Sequence, residues 1–331
     1  MVGAGAHWSA ATRAKTAGGY GRWLHWLETT GQCDHAVPPW RRVTRDRVAA
    51  YIRHLGETLS PGGLLCRVQD LSNALRVLAP DDDRRWLMDP YRAVASRAWP
   101  VRDKRQRLRT AGELVALGER LMTNAETTLG WSPRRRAVQY RDGLMIALLA
   151  HRPVRKKNFA TMRLGIHVVQ QHGRHWMLFA AAETKNRLAY QTMFPEALEA
   201  NLRHYLEHCR PVLVARQHGA LTADFDALWV SDVGTQLTMG ALADRIEKCT
   251  KAAFGQSIPP HWFRDAAATS IAIDDPVHVR DAHLVLGHAS LATTEKHYNQ
   301  ARSLQASRRH QAMLADLLSQ GQNASRLKRS T

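Results

Sequence analysis

LGHASLATTEKHY, residues 286–298, sets a Gly-His pair after an apolar run and a tyrosine ten residues beyond the histidine. Three other stretches give it meaning. RPVRKKNFATMRL, 152–164, crowds five cations behind the apolar run LMIALLA. TKNR, 184–187, puts Lys185 in a tight turn between two β-prone runs. HWFRD, 261–265, follows Pro259-Pro260 at the start of a helix, so His261 and Arg264 lie three apart and share a helix face. Taken singly, these are a surface His/Arg pair, a solvated lysine and a half-buried tyrosine. Their order and combination are not so easily dismissed.

The chain of 331 residues is long for one average domain and comfortable for two. Apolar residues make up 44%, enough for packed cores. Charge is the louder signal, with a formal net of +18. The excess is spread evenly: residues 1–110 hold 19 Lys/Arg against 10 Asp/Glu and the remainder 28 against 19, a net of +9 each. Both parts look built to face a polyanion, and nucleic acid is the usual one. Arginines outnumber lysines 38 to 9, which favours planar, forked contact with phosphate over mobile point charges. Cysteines at 33, 66, 209 and 249 form no CxxC pair, which argues against a zinc ribbon or a disulfide framework and fits a reducing cytoplasm. The 17 histidines contain no HExxH, and no metal site is expected. No apolar run approaches the length of a membrane span, no signal core opens the chain, and no internal repeat is visible.

Helical patterning runs from Ser9 to about Ala98. Trp23, Leu24, Trp26 and Leu27 form a stripe before Gly31. Thr44 is placed to cap RDRVAAYIRHLGE, Ser60-Pro61 to open a third helix and Pro80 to end it; a shorter helix is expected over 82–98. Residues 1–98 thus predict a helical bundle. WPVRDKRQRLRT, 99–110, is basic and aperiodic and reads as a linker. Thr110 with Glu113 forms a capping box, and a second helix covers about 134–151. RLGIHVVQQ, HWMLFAA and AYQTMFP, separated by QHGR and ETKNR, predict a three-stranded antiparallel sheet. Helices resume at about 195–215, 238–254, 261–273, 276–286, 290–298 and 301–319, and 320–331 reads as a disordered tail. The fold expected is mainly α with a small antiparallel β-sheet: a helical domain, then a mixed α/β domain over 111–319.

On these motifs the chain resembles the tyrosine recombinase, or phage-integrase, family. That family has an arginine after an apolar helix, a lysine in a β-hairpin, His-x-x-Arg, Leu-Gly-His and a downstream tyrosine. The matching positions, in order, are Arg155, Lys185, His261, Arg264, His288 and Tyr298. Resemblance is close over about 135–300, and residues 1–110 are similar to the family's helical core-binding domain. Where the family has Thr-Gly-Leu before its first arginine, this chain has Arg152-Pro153-Val154-Arg155. Arg155 is chosen because Arg163-Leu164 then falls in register, and Arg152 stays as the alternative. Asn158 replaces a common acidic residue, Asp265 stands where a second histidine often follows, and the His288–Tyr298 spacing is one residue longer than in many members.

The chemistry suits these residue types. Cutting and rejoining DNA without a high-energy cofactor requires a covalent enzyme–phosphate link to conserve the bond energy. A phenol is a competent nucleophile and a tolerable leaving group, but with a free pKa near ~10 it must shed a proton during attack. Two arginines can hold the charged oxygens of the transition state in place of metal ions. The resemblance implies that Arg155 and Arg264 clamp the phosphate, His261 takes the proton of Tyr298, Lys185 protonates the leaving 5′-oxygen and His288 hydrogen-bonds the phosphate. It also implies no cofactor and no metal, double-stranded DNA as partner, a tetramer on DNA with the C-terminal helix (Leu304, Met313, Leu314, Leu317, Leu318) exchanged between subunits, and DNA-bending accessory proteins. Arg41, Arg42, Arg45, Arg102, Lys104 and Arg105 are candidate phosphate contacts. The expected role is the integrase or excisionase of a mobile element acting in the cytoplasm at the nucleoid. The alternatives are a non-catalytic DNA-binding protein that keeps the fold, and a type IB topoisomerase-like relaxing enzyme.

Overall fold

The computed structural model describes residues 3–83, 85–96, 108–185, 187–215, 225–274 and 313. The chain divides into two compact units, Met1–Asp103 and Lys104–Thr331.

The first unit is helical throughout its described elements. Helix α1 (Ala10–Thr29) begins where the Ser9 side chain accepts from the Thr12 amide and stops before Gly31, whose φ of 67° suits a residue without a Cβ. Thr44 caps α2 (Arg45–Gly56), and Ser60 caps α3 (Pro61–Leu78), with Pro61 in the first turn. A 3-10 turn (Arg85–Leu87) leads into α4 (Met88–Ser96). Trp23, Trp26 and Tyr51 form the centre of the core, with ring centroids 5.1 to 5.2 Å apart, and Leu27, Leu71, Leu75 and Leu87 close around them. A Cβ on Gly19 would lie 2.4 Å from that of Asp70, so α1 and α3 touch at that point.

In the second unit, α5 (Ala111–Thr127) carries both halves of the Thr110–Glu113 capping box. It packs on α6 (Pro133–His151), where Gly118 and Gly143 let the backbones meet: a Cβ on either would sit 2.6 Å from the other's carbonyl oxygen. Every residue from Tyr140 to Ala150 is buried, so α6 is the central helix of this unit. Helix α7 (Lys156–Ala160) is one short turn after it.

Strands β1 (Val168–Gln171), β2 (Arg174–Phe179) and β3 (Tyr190–Met193) form an antiparallel sheet in sequence order. Gln171 pairs with Arg174 across His172 (φ 50°) and Gly173 (φ 77°), a two-residue loop whose positive φ values match strand twist. The β2–β3 connection differs from the tight turn expected: Phe179 pairs with Tyr190, which leaves the ten residues 180–189 between them.

The single helix expected over 195–215 is instead broken. A 3-10 turn (Glu196–Leu198) precedes α8 (Glu199–His204), a π-turn (Tyr205–Cys209) and α9 (Arg210–Val214). Pro211 has no amide to continue the regular ladder, and a π-turn just before it absorbs the mismatch. Helix α10 (Met239–Phe254) starts at the Thr238 cap and ends at left-handed Gly255; α11 (Trp262–Asp274) follows. The helices expected at 276–286 and 290–298 lie outside the described residues, as does 301–319 apart from Met313.

A buried ion cluster welds α6 to α10. Asp142 is fully buried; its Oδ1 accepts from Arg141 Nη2 (2.7 Å) and its Oδ2 from Arg245 Nε (2.8 Å). Arg141 also donates to the Val230 carbonyl at 2.6 Å. Each charge in the cluster is paired and hydrogen-bonded, which is the condition for burying it.

Candidate active site

The site begins where α6 ends. Proline cannot continue the helix and disfavours helical geometry in the residue before it, so Arg152 turns out at φ −133°, ψ 83°. The Val154 amide donates back to the Arg152 carbonyl at 2.7 Å, closing a three-residue turn around Pro153. Arg155 then takes the N-cap position of α7 in extended geometry and is half-buried. The turn therefore separates the two candidate arginines. Arg152 donates to the His151 and Met193 carbonyls at 3.3 and 3.4 Å, which ties it to the backbone at the end of β3. Arg155, three residues on, is near enough for its charge to act on Arg264 of α11 (Trp262–Asp274).

Helix α11 supplies Arg264. Trp262 and Phe263 are buried, Phe263 completely, and this anchors the helix start. His261 precedes the first helical residue and is exposed; Arg264, on the next turn, is half-buried. Its Nη1 donates to the Pro153 carbonyl at 2.6 Å. Residues 111 positions apart in sequence are thereby joined. Burial first, then the like charge of Arg155, pull the Arg264 guanidinium down to a pKa of about 10, with Asp265 and Tyr190 acting in the opposite sense. A drop of that size is on the order of 3 kcal/mol of unfavourable surroundings for the cation. Arg264 still carries its charge at neutral pH, in a setting that an anion would relieve. Tyr190, on β3, is half-buried beside these groups: burial raises its phenol, and Arg152 and Arg264 act against that rise.

Lys185 is exposed in the β2–β3 connection. The residues around it are not loose. The Glu183 carboxylate accepts from the Ala180 amide (2.8 Å) and pairs with His167 Nε2 (2.9 Å), while the buried Thr184 hydroxyl donates to the Leu188 carbonyl (2.7 Å). Sequence reading passed over His167 and Glu183. Glu183 lies two residues before the lysine, but His167 is reached only through the pairing of the strands. Asn158 is buried in α7, and Asp265 is half-buried next to Arg264. His288 and Tyr298 lie outside the described residues; of the others, Arg155 acts on Arg264 through its charge, His261 immediately precedes the helix that carries Arg264, and Lys185 lies on the hairpin of the same unit.

In the first unit Arg41 is exposed. Arg45 is exposed too, with its guanidinium 5.2 Å from the centre of the Trp86 ring and 4.0 Å from Asp89. Arg42 departs from the outward contact expected of it. It is buried, and its guanidinium donates to the Val37 and His35 carbonyls at 2.9 and 3.4 Å, because the 33–42 loop leaves carbonyls that no helix satisfies. Arg102, Lys104 and Arg105 lie outside the described residues. Among the described residues, Glu28, Cys33 and His35 bring ligand-type atoms within 4.8 Å of one another. Arg42 Nη1 sits 3.8 Å from Cys33 Sγ, a fixed positive charge against any cation there. No helix among the described residues is long and apolar enough to cross a membrane.

Residues 118–304, more than half of the chain, match the sequence profile described as the Phage integrase family. Among solved structures, the chain is similar to an XerH site-specific recombinase bound to difH substrate in a pre-cleavage complex (TM-score 0.53, 15% identity, covering 78% of this chain and 68% of that one). It is also similar to a Tn1549 transposon integrase in complex with transposon right end DNA (TM-score 0.53, 14% identity, covering 88% and 93%). At these identities the likeness concerns the fold. A comparison with curated protein sequences finds no match.

Proposed function

The chain belongs to the phage integrase family of tyrosine recombinases, and from that premise we propose that it is a site-specific DNA recombinase working through a 3′-phosphotyrosine intermediate. The observation that supports this most is the meeting of Arg264 with the turn that presents Arg155. A half-buried guanidinium held below its ordinary pKa, first by burial and then by the charge of Arg155, suits a phosphate whose charge grows in the transition state.

In the proposed reaction the Tyr298 hydroxyl attacks the scissile phosphorus and its proton passes to His261. The bond from phosphorus to the 5′-oxygen breaks, and Lys185 supplies the proton that makes that oxygen a hydroxyl. Arg155, Arg264 and His288 hold the non-bridging oxygens. The reverse attack by a 5′-hydroxyl of another strand returns each proton and frees the tyrosine. No metal, ATP or other cofactor enters the balance. The recombinase acts on double-stranded DNA as a tetramer with exchanged C-terminal helices, assisted by DNA-bending proteins, as the integrase or excisionase of a mobile element in the cytoplasm. Arg41, Arg45, Arg102, Lys104 and Arg105 contact the DNA backbone.

The test is a nicked substrate that traps the cleaved state. The full chain is expected to form a covalent adduct in the presence of a chelator, and Tyr298→Phe to form none. Asn158 and Asp265 favour a second reading, a protein that binds its site without cutting. Tight site-specific binding with no adduct on the mapped site would establish it, and relaxation of any supercoiled plasmid would point instead to a topoisomerase. Loss of recombination on removal of 303–331, with the adduct retained, supports exchange of the C-terminal segment.

A further inference from the structure

A ten-residue connection between β2 and β3 is long enough for a lysine in it to wander, and loop residues pay entropy whenever they are held. Hydrogen bonds hold the chain on both sides of Lys185. Glu183 ends a 3-10 turn (Ala181–Glu183), and its Oε2 accepts from the Ala180 amide at 2.8 Å, which closes the turn on itself. Its Oε1 lies 2.9 Å from Nε2 of His167. His167 is buried at the entry to β1, against the Phe179 ring that ends β2. His167 Nδ1 accepts from the Arg163 amide at 3.1 Å, so the ring proton must sit on Nε2 and point at Glu183. On the far side of the turn, Thr184 is buried with its hydroxyl on the Leu188 carbonyl, and the Arg187 amide donates to the Thr184 carbonyl at 3.2 Å. The Glu183 carboxylate is held below the usual range, chiefly by its hydrogen bond from His167 and also by the Ala180 amide and the charge of Lys157. Lys157 belongs to α7, the helix that Arg155 caps.

We infer that His167 and Glu183 are positioning residues for Lys185: the buried histidine grips the carboxylate that sets the turn, and the turn aims the lysine at the leaving oxygen. This rests on the recombinase reading and on Lys185 as the general acid.

The experiment compares single-turnover adduct formation on two oligonucleotides, one with an ordinary scissile phosphodiester and one with sulfur replacing the bridging 5′-oxygen. A thiolate leaves without a proton, so only the oxygen substrate needs the acid. Lys185→Ala is expected to slow cleavage of the oxygen substrate by about 100-fold and to be nearly normal on sulfur, the signature of a lost general acid. Glu183→Ala and His167→Leu are expected to slow the oxygen substrate by roughly 10-fold with the sulfur substrate little changed, since a misaimed acid loses only part of its effect. Glu183→Gln, which keeps an acceptor for His167, should recover part of the rate. An unchanged rate for Glu183→Ala on oxygen, or an equal loss on both substrates, overturns the inference. A Lys185→Ala protein that sulfur does not rescue removes the acid role and the inference together. A wild-type chain that forms no adduct on either substrate overturns the recombinase reading itself, a result distinct from the others.

Discussion

Two clusters of arginine in the second unit show how the same side chain serves fold and site. Arg141 and Arg245 bracket the fully buried Asp142. Burial works against the Arg245 charge, yet Asp142 more than offsets it and its pKa rises. Arg264 meets the opposite outcome. Burial and mutual repulsion outweigh Asp265, and the Arg264 pKa falls to about 10. In the first cluster one buried carboxylate accepts from both arginines. In the second, burial and a like charge are the larger influences on Arg264, and Asp265 is the smaller one. The balance between burial and the attraction of a neighbouring carboxylate, rather than the number of arginines, separates the two.

Three substitutions press on that contrast. Arg264→Ala should have the largest effect, a loss of about 10³-fold in adduct formation with site affinity and unfolding midpoint near wild type, the scale of removing one donor to a developing oxyanion. An intact cleavage rate would place Arg264 with the structural cluster and dissolve the distinction. Asp142→Ala should lower stability by about 3–5 kcal/mol in denaturant unfolding, because it strands two cations, one of them fully buried. A protein of undiminished stability would mean that the Asp142 cluster is not what holds α6 to α10. Arg45→Ala should have the smallest effect: no loss of stability beyond a few tenths of a kcal/mol, and a salt dependence of DNA binding shallower by about one. Its exposed guanidinium rests on Trp86, and the backbone contact proposed for it would carry no base readout. An unchanged salt slope would remove it from the interface.

Much of the fold could be read without coordinates, wherever the deciding interaction is local. Thr44, Ser60 and Thr110 all cap helices through the amide three residues on, and in these helices side chain and target lie within a single turn. The sheet followed from alternation and from His172-Gly173 between its first two strands. The break at the π-turn and the length of the β2–β3 connection were not legible, since both depend on what the segments pack against. Arg42 makes the same point for the surface. Beside Arg41 it looks like an outward cation, but the carbonyls of its own loop draw it in.

The amino-acid sequence alone determined the family, the mainly helical class with its small sheet, and the order in which cationic and nucleophilic groups occur along the chain. Those depend on residue type, short-range periodicity and spacing, which a linear string preserves. Tertiary structure tied Arg152 to backbone carbonyls and Arg264 to the Pro153 carbonyl, and it brought His167 to Glu183. Those outcomes depend on distances and desolvation between segments far apart in sequence, and such terms arise only when the chain has folded.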